Sequence, residues 1–136
     1  MQETVLPREF PGGRLRRMRT SDCEAFQAYR SIPALGQYQG WSPMSETEAF
    51  KFLAEVSQAP LFVTGQWVQI GIADPASDRL VGDIGLYLSE DGSSGEIGFT
   101  LEPSAQGRGI ASRAVGETLR LMFSATNVAR ILGITD

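Results

Sequence analysis

The sequence predicts an α/β domain on a mixed, mostly antiparallel sheet, and three observations predict it. Apolar residues recur with a period of two through three consecutive segments between residues 67 and 101. Two stretches with helical spacing and helix-start signals precede those segments. After the third segment comes a helical stretch and then one more short apolar run, the order expected of a strand reached through a crossover helix.

Residues 1–13 are polar, broken by Pro and Gly, and read as an N-terminal tail ahead of a domain at 14–136. "RLRRMR" (14–19) reads as a charged edge strand with Leu15 and Met18 turned inward. Ser21 and Glu24 have the spacing of a capping box, opening a helix that carries Ala25, Phe26 and Tyr29 and ends before Pro33. "ALGQYQGWSP" is an aromatic loop, and Ser45 and Glu48 form a second capping box for a helix with Ala49, Phe52, Leu53 and Val56 on one face. Val68, Ile70 and Ile72, then Ile84, Leu86 and Leu88, then Ile97, Phe99 and Leu101 alternate through three strands. The turns "DP" and "EDGSSG" join them into an antiparallel meander. Beyond Gly109, Ala111, Ala114, Val115, Thr118, Leu119 and Met122 share one side of a helix. "RILGIT" then reads as a strand parallel to the third meander strand, and it stops at Asp136 with no closing element. That ending is expected of a domain lacking its C-terminal part, or of a sheet completed by a second copy in a homodimer.

With 136 residues the chain suits one domain with one core, and no run approaches the ~20 apolar residues of a membrane-spanning helix. A single cysteine, Cys23, rules out an internal disulfide and suggests a reducing, cytoplasmic setting. The net charge of −4 is uneven: residues 1–40 hold six Arg against four acids, and the rest holds six basic residues against twelve acids. That body disfavours nucleic acid as a partner and mildly favours cationic substrates. Without histidine there is no Ser-His-Asp triad, no Cys-His pair and no histidine-ligated zinc, and one cysteine cannot build a thiolate metal site. No metal is expected.

The chemistry concentrates where the third meander strand turns into the last helix, at Gln106-Gly107-Arg108-Gly109. A helix start offers unpaired N–H groups and the positive end of a dipole, and glycines let a ligand approach the backbone. Phosphate is the usual guest. A Walker loop needs Gly-Lys-Ser/Thr, but Ile110 follows Gly109; a dinucleotide fingerprint needs a third glycine, where Ser112 stands. Locally, an anion site and a plain strand–helix turn remain open.

Gln106-Gly107-Arg108-Gly109-Ile110-Ala111 resembles the Q/R-x-x-G-x-G/A motif of the GNAT superfamily of N-acetyltransferases. "GEIGFTLEPSAQGRGIASRAV", "GGRLRRMRTSDCEAF" and "DRLVGDIGLYL" are similar to that family's ribosomal-protein-alanine N-acetyltransferase-like branch, and the likeness runs over about residues 14–136. The resemblance implies a GNAT-type sheet with helices on both faces and acetyl-CoA as co-substrate. Backbone groups of Gln106, Gly107, Arg108, Gly109, Ile110 and Ala111 would hold the pyrophosphate. Phe99, Thr100 and Leu101 would pair with the pantetheine arm in a V opened towards "RILGIT". It further implies N-acetylation of a primary amine, on a protein N-terminus or a small molecule, by direct attack on the thioester. Tyr38 and Trp41, with Trp67, would line the acceptor pocket.

Glu96 is the candidate base, because it shares the face of Gly98 and Thr100 while Ile97, Phe99 and Leu101 take the other. Asp83 on the neighbouring strand is a second candidate, and Tyr87 a proton donor or a packing residue. The family often carries an asparagine and a tyrosine acid beyond the strand that ends here at Asp136. An alternative reading is therefore a catalytically inactive acetyl-CoA-binding or assembly module.

Overall fold

The structure, a computed structural model, describes residues 5–31 and 44–134. Six strands form one sheet in sequence order: β1 (Arg8–Phe10), β2 (Gly13–Arg16), β3 (Trp67–Ala73), β4 (Leu80–Leu88), β5 (Ser94–Leu101) and β6 (Arg130–Ile134). Neighbours from β1 to β5 are antiparallel, and β6 runs parallel to β5. Helices α1 (Cys23–Arg30) and α2 (Glu46–Val56) lie between β2 and β3 in the chain, and α3 (Ile110–Ala125) carries it from β5 to β6.

The alternation of the strands sorts side chains into two cores. Leu15, Val68, Ile70, Ile72, Ile84, Leu86, Ile97 and Leu101 point to one face and meet Ile110, Ala114, Leu121 and Met122 of α3. The opposite face carries Met18, Phe26, Tyr29, Ala49, Leu53, Val56 and Leu80, gathered from α1, α2 and the adjoining strands. Each fully buried Leu or Ile contributes roughly 1.5–3 kcal/mol of transfer free energy. Leu15 and Met18 both turn inward as expected, but into different cores, since residues an odd number apart along an extended segment point to opposite faces of the sheet.

The N-terminal segment departs from its reading in two ways. The described part of the presumptive tail contributes an edge strand, β1, with Leu6 and Phe10 buried in the α3-side core. The strand expected at the edge, β2, is therefore interior, paired with β1 on one side and β3 on the other. Its arginines survive there because carboxylates surround them. Arg16 is 3% exposed, chelates Asp22 through both terminal nitrogens at 2.9 Å and reaches Asp78 through Nε at 3.0 Å. Arg14 and Arg19 also donate to Asp78. Much of the basic charge of the first forty residues is thus paired with carboxylates, Arg16 in the interior and Arg14 and Arg19 nearer the surface.

The Ser45–Glu48 box forms as read: Glu48 N donates to Ser45 Oγ at 3.1 Å and Ser45 N to Glu48 Oε1 at 2.9 Å. The Ser21–Glu24 box does not form. A 3-10 turn at Thr20–Asp22 precedes α1, and the Asp22 carboxylate, already held by Arg16, accepts from Arg19 N at 2.7 Å instead. Among the described residues no helix is long and apolar enough to cross a membrane.

Candidate active site

β5 ends at Leu101, and a 3-10 turn at Pro103–Ala105 leads into the glycine loop. Buried Ala105 and Ile110 pin the loop to the core at both ends, so only backbone from 106 to 109 stands clear. Gly107 and Gly109 adopt φ of +80° and +74°, left-handed values that side-chain-bearing residues rarely hold. A Cβ on Gly107 would meet nothing within 4 Å, so that glycine serves conformation and access and not internal packing. The backbone amides of residues 107–112 donate no hydrogen bond among the described residues, and the first bond at the helix start is Arg113 N to Gly109 O at 3.1 Å. Six consecutive donors without a described partner thus lie at the positive end of a sixteen-residue helix.

Two arginines flank these donors. Arg108 donates to Ser104 O at 2.6 Å, which folds its guanidinium back along the loop. Arg113, which the sequence reading did not single out, places its guanidinium 3.7–3.8 Å from where a Gly109 side chain would begin. Its position four residues after Gly109, in the first turn of the helix, was the available signal.

One edge of the strand beside the loop has described pairing over only part of its length. Glu102 N donates to Val81 O and Ser89 N to Ser94 O, so even-numbered residues of β5 bond β4 and odd-numbered ones face β6. Described pairing with β6 ends at Gly98–Ile134. Phe99–Leu101 thus keeps a backbone edge with no described strand partner, and Gln106 Nε2 caps the Leu101 carbonyl there at 2.9 Å. Thr100 is buried, and Phe99 half-buried on the α3 side.

On the other face, cross-strand register lines up three rows. Trp67, Tyr87, Glu96 and Leu132 form one, Gln69, Gly85 and Gly98 the next, and Gly71, Asp83 and Thr100 the third. The first row is open: Trp67 is 49% and Leu132 56% exposed, and the Trp67 and Tyr87 rings lie 5.2 Å apart at 37°. Glu96 is half-buried, and its carboxylate makes no hydrogen bond among the described residues. The middle row, with two facing glycines, is a low floor.

Asp83 is in the opposite condition. It is 1% exposed and accepts from Tyr29 Oη, from Arg30 Nη2 at 2.8 Å and from Gln69 Nε2 at 2.9 Å. Burial, reinforced by the Asp83 charge and opposed by Arg30, pushes the Tyr29 phenol well above its ordinary range, so Tyr29 remains a donor. Asp83 is fully engaged in tying α1 to β4 and is no free base. Tyr87 packs on Trp67. Tyr38 and Trp41 lie outside the described residues.

The profile of the acetyltransferase (GNAT) domain family matches residues 14–136. This chain belongs to that family. It is 25% identical over 118 residues to the uncharacterized N-acetyltransferase p20 of Bacillus licheniformis, an alignment covering 86% of this chain and 66% of that protein's length. A GNAT-family acetyltransferase from Bacillus anthracis superposes with a TM-score of 0.80 at 21% identity, over 94% of this chain and 72% of the other. A spermidine N-acetyltransferase from Vibrio cholerae, solved with CoA and spermine, superposes with a TM-score of 0.68 at 18% identity, over 85% and 66%. The GNAT sheet, with α1 and α2 on one face and α3 on the other, is the architecture expected from the sequence.

Proposed function

We propose that this GNAT chain transfers the acetyl group of acetyl-CoA to a primary amine. The observation that carries the reading is the set of amides at 107–112, without a hydrogen bond among the described residues, next to the β5 edge at Phe99–Leu101, which has no described strand partner. A diphosphate fits those donors, since Gly107 leaves the approach clear and no lysine is needed where a helix dipole and six N–H groups supply the positive potential. Gln106 to Ala111 would hold the pyrophosphate, Arg108 and Arg113 would add charge at its rim, and Phe99, Thr100 and Leu101 would pair with the pantetheine arm. The bound co-substrate supplies an activated acetyl thioester.

The chain's own task is to deliver a neutral amine. An α-amine with pKa near ~8 loses its proton at pH 7 for about 1.4 kcal/mol, a lysine amine near ~10.4 for about 4.6 kcal/mol. Glu96 would take that proton, directly or through water; its carboxylate has no competing partner among the described residues and it shares the face of exposed Trp67. Acceptor and thioester would then meet at the strand that carries both groups, and their alignment removes several kcal/mol of barrier. A peptide N-terminus or a small-molecule amine is the acceptor class, and the cytoplasm the proposed compartment.

Calorimetric titration with acetyl-CoA tests the reading. The wild-type chain is expected to bind, and Gly109→Asp, which sets a carboxylate among the loop amides and beside Arg113, to lose binding by at least a hundredfold. Equal binding by both, or none by the wild type, overturns it.

A further inference from the structure

The Gln69 side chain is fixed in one sense by its partner. An ionised carboxylate only accepts hydrogen bonds, so the Gln69 atom 2.9 Å from Asp83 Oδ1 must be the amide nitrogen. The carbonyl oxygen is therefore turned the other way. It lies 2.6 Å from the point where a side chain on Gly85 would start, which places it directly above the glycine floor on the open face. Gln69 is half-buried, so this oxygen sits at the boundary between the closed Asp83 cluster and solvent, and it accepts no hydrogen bond among the described residues. From above β4, one strand spacing of about 4.8 Å separates it from β5, where Gly98 stands opposite Gly85 and Glu96 two residues along on the same face. Trp67, whose ring carbons would also lie 3.4 Å from a Gly85 side chain, walls the same floor.

From this geometry we infer that Gln69 Oε1 binds the acceptor amine: it accepts one N–H of the nitrogen whose proton goes to Glu96, and Asp83 is the positioning residue that holds that oxygen outward. The inference rests on the proposed amine acetylation and deepens it. It explains three features together. Asp83 is buried but has a donor from β3 as well as two from α1. Gly85 lacks a side chain where one would strike the carbonyl. Along these rows Gln69 Oε1 and the Glu96 carboxylate are two acceptors without a described partner, which suits a nitrogen with several N–H bonds.

The test uses Gln69→Leu and Gly85→Ala, with the tripeptide amide Ala-Gly-Tyr-NH2, phenethylamine and spermine as probe amines. Each is added to protein saturated with CoA, with the Gln69 side-chain amide followed by 15N NMR; steady-state kinetics with acetyl-CoA follow. At least one probe is expected to shift the Gln69 resonances in the wild type. Both variants are expected to raise the KM for that amine about tenfold or more, the loss of a hydrogen bond to a charged or developing ammonium, while kcat and acetyl-CoA affinity stay within about twofold. Gly85→Ala displaces the Gln69 side chain but leaves the Tyr29 and Arg30 bonds to Asp83 in place, so it separates a lost acceptor from a loosened fold. Failure of all three amines to move the Gln69 resonances, or an unchanged KM in both Gln69→Leu and Gly85→Ala, overturns the inference. Loss of acetyl-CoA binding by the wild type would instead sink the acetyl-transfer reading.

Discussion

At the scale of single residues, Glu96 and Asp83 show how two carboxylates on adjacent strands take opposite roles. Asp83 has three donors and 1% exposure, Glu96 none among the described residues and an open flank. A base must be free to accept a proton, which selects Glu96. Glu96→Gln is expected to lower kcat about a hundredfold with unchanged acetyl-CoA affinity, and more steeply for a lysine side-chain amine than for a peptide α-amine, because the lysine holds its proton harder. Paired kinetics on the two acceptors check this; an equal drop on both would assign Glu96 another role. The face of Glu96 was legible in the sequence because strand alternation has a period of two. The engagement of Asp83 was not: its partners Tyr29 and Arg30 lie more than fifty positions away in the chain, and only the docking of α1 brings them in. The orientation of Gln69 was hidden too, because it is set by a side-chain bond to Asp83 across β3 and β4.

Among elements, local signals succeeded where nothing competed for the residues involved. Ser45 and Glu48 cap α2 because both are exposed and unclaimed. Ser21 and Glu24 have the same spacing, but Arg16 reaches across to Asp22 and sets a 3-10 turn there first. Ser45→Ala is therefore expected to cost about 1 kcal/mol, and Ser21→Ala less than about 0.5 kcal/mol, in urea unfolding with unchanged m-values. The reverse order would mean that the capping assignments are exchanged. The meander of β3 to β5 and the return to a parallel β6 were likewise plain from periodicity and turn residues. β1 was not, because three residues flanked by Pro and Gly carry too short a pattern to register.

For the whole molecule, charge placement decides behaviour in acid. Burial pulls the Asp78 carboxyl up, but hydrogen bonds from Arg19 and Arg14 and the nearby Arg16 outweigh it and hold the group down at about 2, below its ordinary value of 3.8. A depressed carboxyl stabilises the fold fully above its unfolded value and loses that contribution as pH falls through the folded one. Asp78→Asn is thus expected to destabilise by about 1 kcal/mol at pH 7, modest because the cluster is partly solvated, with the difference from wild type shrinking between about pH 4 and pH 2. Thermal melts across that range check it; a gap that persists at pH 2 would show that Asp78 acts by packing. The sequence disclosed the arginine excess but not its sink, since Asp78 lies some sixty residues from the arginines it gathers.

The hairpin between β4 and β5 has a consequence for how such a site can change over time. Asp91 accepts from Ser89 Oγ, Ser93 N and Ser93 Oγ, and these bonds, led by the Ser93 amide, keep its carboxyl at about 2, so the clasp stays ionised through ordinary pH. That clasp sets where β5 starts counting. Were a residue gained or lost on the strand side of it, Glu96 would rotate into the α3 core and Ile97 out towards the amine. Natural variation at this locus is thereby steered towards exchanging one amino acid for another on β5, with length drift confined to stretches where parity carries no meaning.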